Sequence, residues 1–191
     1  MLCVRYVHDL LRDREYTEAY VKSLSRVLLA VYTAVLIWLI LFKFSVHIAS
    51  VLSYDTRSVN LVPFSNSSGT SGEMADNVLV FIPFGLLLAI NFKRLDLWRK
   101  LLVVFVFSLT AEVIQYIFAI GASDITDVMT NTLGGLIGLV VYDVGGKYIR
   151  HESLDRFIVY AGIALLVIFL LFLAALELRH GVRYHSPRKS H

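Results

Sequence analysis

The chain has 191 residues, 57% of them hydrophobic, and a formal net charge of +3. Long apolar runs free of charge make it a polytopic membrane protein rather than a soluble domain, and its length suits one domain. The lone Cys3 excludes an internal disulfide framework, and bases gathered in loops, without interleaved aromatics, exclude a nucleic-acid surface.

Residues 1–25 mix Arg5, Arg12, Arg14 and Lys22 with acids, while Val4, Val7, Leu10 and Leu11 recur at helical spacing. This is no secretory signal. It predicts a short amphipathic helix, lying on the membrane surface or solvated. A transmembrane domain over 26–176 follows, and its first span covers about 27–51. Lys43, towards the far end, can snorkel to the headgroups, and His47 fits an interfacial position.

The one long loop, 53–76, has two halves. Ser, Asn, Gly and Thr crowd 65–72 and predict turns. Before them, Arg57, Asn60, Leu61, Pro63 and Phe64 suit a proline-fixed segment that dips back to the membrane surface. Arg57 is either a headgroup contact or a counter-charge for buried acids.

The second span, 77–92, holds Pro83 in its interior and Gly85 two residues on. Proline frees a carbonyl and kinks a helix, either to make room for packing or to open a polar cleft. Lys93, Arg94, Arg99 and Lys100 occupy the next loop. The third and fourth spans, 101–121 and 124–142, form a hairpin about Gly121. Gly134, Gly135 and Gly138 allow close helix packing, within the fold rather than at a dimer seam. After Lys147, Arg150 and Arg156 comes a fifth span, 157–176, with no polar site. The basic tail, 177–191, is expected to be disordered and lacks metal-site spacing. The fold class is therefore all-α, a polytopic integral membrane helical bundle of about five transmembrane helices.

Charge bias orients the bundle. Bases flank the first span on its N-terminal side and fill the second and fourth loops, which places the N-terminus in the cytoplasm. Arg179, Arg183, Arg188 and Lys189 in the tail run against this, but the loop contrast outweighs them. Asn77, Gln115, Asp124, Asp127 and the 57–64 segment then lie near the outer leaflet, with Glu112 and Asn131 deeper.

The hairpin concentrates the polar residues. Ser108, Glu112 and Gln115 share one helix face by i, i+3 and i+4 spacing, and Asp124, Asp127 and Asn131 share another. A turn centred on Gly121 sets Gln115 level with Asp127, Glu112 with Thr130–Asn131, and Ser108 with Gly134. Ionisable residues in a span are expensive and mark a functional site by default. Glu112, Asp124 and Asp127 are the candidate catalytic residues. Three chemistries are open: acid–base work, a divalent cation held by oxygen ligands, or an interhelical lock in which Glu112 donates to Asn131. No nucleophile set, phosphate loop or zinc spacing is present, and no cofactor is evident.

Asn77 with Phe81-Ile82-Pro83-Phe84-Gly85, Ser108 with Ala111-Glu112-Val113-Ile114-Gln115, and Asp124-Ile125-Thr126-Asp127-Val128 with Asn131-Thr132-Leu133-Gly134-Gly135 resemble the VanZ-like family of bacterial membrane proteins. Arg57 and Asn60-Leu61-Val62-Pro63-Phe64 also fit, and the resemblance covers 26–142. Many members carry an arginine just before the first aspartate; here Ala122 and Ser123 stand there. The resemblance implies a multi-pass protein of the bacterial cytoplasmic membrane, linked to resistance to teicoplanin, a glycopeptide antibiotic. It implies membrane lipids as partners, with a lipid-linked cell-wall precursor as a further candidate, and leaves the oligomeric state open. The alternatives are a membrane enzyme acting on such a precursor or a lipid head group, and a lipid or proton-coupled transporter. The absence of an internal repeat speaks against the transporter.

Overall fold

The computed structural model describes residues 2–42, 59–64, 71–118 and 123–184, with side chains over 16–40, 60–64, 72–118 and 123–171. The elements are α1 (Leu2–Phe42), β1 (Val59–Asn60), α2 (Ser71–Asn91), α3 (Leu97–Phe118), β2 (Ser123–Asp124), α4 (Ile125–Tyr148) and α5 (His151–Tyr184). Among the described residues, five helices are long and apolar enough to cross a membrane. The protein is an all-helical membrane bundle whose strands form a minimal parallel ladder, Val59 beside Ser123 and Asn60 beside Asp124.

The apolar stretches sit at Tyr16–Ile40, Gly72–Asn91, Leu97–Phe118, Ile125–Tyr148 and His151–Leu171. The first begins well before 27, because α1 runs unbroken from Leu2. Residues 1–25 are thus no separate short helix, apart from Met1, which lies outside the described residues. Helix α5 likewise continues to Tyr184, so 177–184 is helical rather than disordered. Lys43, His47, Arg57, the 65–70 stretch, the turn at Gly121 and the tail from 185 lie outside the described residues.

Helices α2 and α4 form the central pair, with the most extensive contact in the bundle, and α3 lies along α4. Glycine explains the closeness. A Cβ at Gly134 would fall on the Val78 carbonyl, one at Gly138 on the Ile82 carbonyl, and one at Gly85 on the Gly135 carbonyl. Helix backbones therefore touch with no side chain between them. Gly135 gives the same room to the Val104 side chain of α3. Phe81, Phe84 and Phe107 pack on one another beside this seam, with ring centroids 5.0–6.2 Å apart. Pro83 lies inside α2, which continues through it.

Helix α1 crosses α2 and α5. Two polar ties fix it on α2. The Tyr32 hydroxyl donates to the Val80 carbonyl at 2.6 Å. Ser25 Oγ donates to Asn91 Oδ1 at 3.1 Å, and Asn91 Nδ2 returns to the Ser25 carbonyl at 3.2 Å. A third tie holds α5: Asp155 accepts from the Tyr142 hydroxyl of α4 at 2.7 Å and also pairs with Lys93. Interhelical hydrogen bonds in membranes contribute about 0.6–2 kcal/mol. Asn91→Leu, which removes both bonds to Ser25, should lower stability by about 1–2 kcal/mol. Thermal unfolding in detergent reads this directly, and an unchanged midpoint would show that the tie contributes nothing.

Candidate functional site

The polar residues of the hairpin gather at one end of the α2–α3–α4 core. Asp124 is the hinge of this cluster. Its backbone is extended, with φ −127° and ψ 124°, and it caps α4: Oδ1 accepts from Thr126 N at 2.8 Å. An acceptor here satisfies one of the orphan N–H groups at the helix start. The other oxygen, Oδ2, accepts from Asn60 Nδ2 at 3.0 Å. The backbone N–H of Asp124 donates to Glu112 Oε2 at 3.0 Å. One aspartate thereby joins α3, the start of α4 and the 60–64 segment.

That segment is anchored twice more. Asn60 Oδ1 accepts from Val62 N at 3.1 Å, a tight local turn. Phe64, in the left-handed region at φ 54°, donates its N–H to Thr126 Oγ1 at 3.1 Å. Leu61, Val62 and Phe64 are left exposed at the rim.

The second branch joins α2 to α4. Asn77 Nδ2 donates to Asp127 Oδ1 at 2.7 Å and lies 3.4 Å from Thr130 Oγ1. The third branch is deepest. Asn131 Nδ2 donates to Ser108 Oγ at 2.9 Å, both groups being buried. Gln115 turns to α1, donating to the Ile40 carbonyl at 2.8 Å. Two buried acceptors, Gln115 Oε1 and Asn131 Oδ1, take no hydrogen bond from the described residues.

This register differs from a simple hairpin count. Ser108 meets Asn131 rather than Gly134, Glu112 meets the Asp124 N–H rather than Asn131, and Gln115 meets α1 rather than Asp127. The physical reason lies in Ser123 and Asp124, which are extended. Extended residues advance about 3.3 Å each where helical ones rise about 1.5 Å. Two such residues gain about 3.6 Å, so the chain reaches the depth of Ser108 about two residues sooner. The lock in which Glu112 donates to Asn131 is absent, and Glu112 serves as an acceptor instead.

The structure brings together Asn60, Asn77, Glu112, Asp124 and Asp127 at the mouth, with Ser108 and Asn131 below. Gln115 faces another helix, and Arg57 lies outside the described residues. Thr126 and Thr130 belong to the cluster although the sequence reading gave them no role. Thr126, two residues after a capping aspartate, and Thr130, three after Asp127, were detectable by helical spacing. Among the described residues, no group of three His, Cys, Asp or Glu, the acids of this cluster included, has the arrangement to hold a metal ion. The arrangement is rich in carboxylate acceptors, which suits it to receive amide or ammonium donors.

The VanZ/LLP1 family model matches residues 29–146. A relative in Enterococcus faecium named Protein VanZ is 52% identical over 159 residues, covering 83% of this chain and 98% of its own. No solved structure matches significantly.

Proposed function

Because the chain belongs to the VanZ/LLP1 family, we propose that it lowers bacterial susceptibility to teicoplanin-type glycopeptides through an outward-facing acidic site in the membrane. The observation that carries the reading is the convergence of Glu112, Asp124 and Asp127 with Asn60 and Asn77 at one end of the bundle. The bases Lys93, Arg94 and Arg150 in the loops, with Arg99 and Lys147 at the adjoining helix ends, mark the other end. Basic loops stay in the cytoplasm, which sets the acidic cluster at the outer leaflet of the plasma membrane and the N-terminus inside. Carboxylates there meet amide or ammonium groups, the donors that the peptide portion of a lipid-linked wall precursor presents. The protein acts in this reading by binding.

Two experiments test it. Restoring teicoplanin resistance in a deletion strain with wild type but not with the Glu112→Gln/Asp127→Asn double variant supports the site. For orientation, single cysteines replace Leu61 or Arg99 in a Cys3→Ser background. An impermeant thiol reagent should label position 61 in intact cells and position 99 only after permeabilisation. Labelling of position 99 alone in intact cells reverses the orientation.

A further inference from the structure

At the end of the bundle opposite the acidic cluster, α1, the α2–α3 loop and the start of α5 frame an open recess of about 720 Å³, at which Lys22, Arg26, Lys93 and Arg94 are exposed. Its walls carry Lys22 and Arg26 from α1, Lys93 and Arg94 from the loop, and Arg156 from α5. Three acids also line it, and each is engaged. Asp155 takes Lys93 and the Tyr142 hydroxyl. Glu152 takes Arg150, which is not on the recess wall, at 2.9 Å. Glu18 has a partner as well. Among the described residues, Lys22, Arg26 and Arg94 make no ion pair.

Lys22 and Arg26 stand four apart on one helix face, where like charges repel. The helix cannot roll them away, because Ser25 between them is bonded to Asn91 in both directions. An anion in the recess would offset that repulsion and meet the guanidinium forks of Arg26 and Arg94, which suit phosphate oxygens. Basic recesses between membrane helices on the cytoplasmic side are suited to phosphorylated headgroups.

We propose that this recess binds a phosphate group, carried by an anionic membrane lipid or by a soluble phosphorylated molecule. The proposal is independent of the role of the acidic cluster. It is tested on the full chain purified in detergent. Native mass spectrometry compares retention of phosphatidylglycerol and phosphatidylcholine, and thermal unfolding is followed as inorganic phosphate is added. Wild type should retain phosphatidylglycerol preferentially, be stabilised by phosphate, or both. Lipid preference without a phosphate effect assigns a lipid source, and the converse a soluble one.

The Arg26→Gln/Arg94→Gln variant should weaken the observed binding about tenfold or more. Arg99→Gln, whose side chain lies 3.5 Å from Asp96 and does not line the recess, should leave it unchanged. Lys22→Gln, a single change on α1, serves as the milder variant if the double change prevents folding. Equal retention of both lipids with no phosphate effect overturns the proposal. Equal weakening by Arg99→Gln also overturns it, since the bases would then act only as diffuse surface charge.

Discussion

Replacing Gly138 with leucine should leave little folded protein in the membrane. The first side-chain atom would fall on the Ile82 carbonyl, 2.9 Å from Leu86 N and 3.1 Å from the Gly85 Cα. These are backbone atoms of α2, which cannot swing aside as a side chain can. Relief requires α2 and α4 to separate along the most extensive interface in the bundle. Overpacking a core costs about 1–3 kcal/mol. A leucine wedged between helix backbones belongs at roughly 3 kcal/mol or above, a large share of the marginal stability of a folded protein. The acidic mouth would suffer with it, because Asn77–Asp127 spans the same two helices. Gly145→Ala is the control. Its Cβ meets only the Leu154 side chain, at 3.2 Å, and that end can shift. Membrane levels and thermal unfolding should therefore separate the two variants sharply. Equal levels and midpoints would mean that the α2–α4 contact does not hold the bundle together.

Glu112→Gln with Asp127→Asn should abolish protection against teicoplanin while the protein accumulates near its normal level. An amide oxygen at 112 can still accept the Asp124 N–H, and one at 127 can still accept from Asn77. Each such bond is worth only about 0.6–2 kcal/mol, so the fold should survive the exchange. What disappears is negative charge and proton exchange at the mouth. Asp124→Asn is a different case. Oδ1 and Oδ2 accept from Thr126 N and Asn60 Nδ2 respectively, and an asparagine must set its own NH₂ against one of those donors. If it keeps the helix cap, the bond from Asn60 is lost and the 60–64 segment is held by the Phe64–Thr126 bond and the short ladder alone. This should cost about 1 kcal/mol in stability. The assay is complementation of a deletion strain over a teicoplanin series, with membrane protein measured in parallel. Full protection by the triple amide variant would leave the carboxylates as interhelical acceptors alone and remove the basis for the proposed function.

The sequence by itself determined the apolar lengths, and these set the helical class and the number of crossings. Ser108, Glu112 and Asn131 are local insertions of polarity into apolar runs, so they stood out without any knowledge of partners. The order of Asn77, Pro83, Glu112, Asp124 and Asn131 carried the family resemblance for the same reason. Only the tertiary structure decided whom each group meets. Membrane helices are apolar on lipid-facing and packed sides alike, which erases the amphipathic stripe that marks a buried face in a soluble helix. Nothing local therefore shows that Gln115 faces Ile40 on α1, that Ser25 meets Asn91, or that Asp155 collects Tyr142 and Lys93. The register of the α3–α4 hairpin was hidden for a related reason. Two extended residues, paired in parallel with Val59 and Asn60, change the rise per residue at the turn. That pairing depends on a segment more than sixty residues away in the chain, whose position is fixed only when the bundle closes.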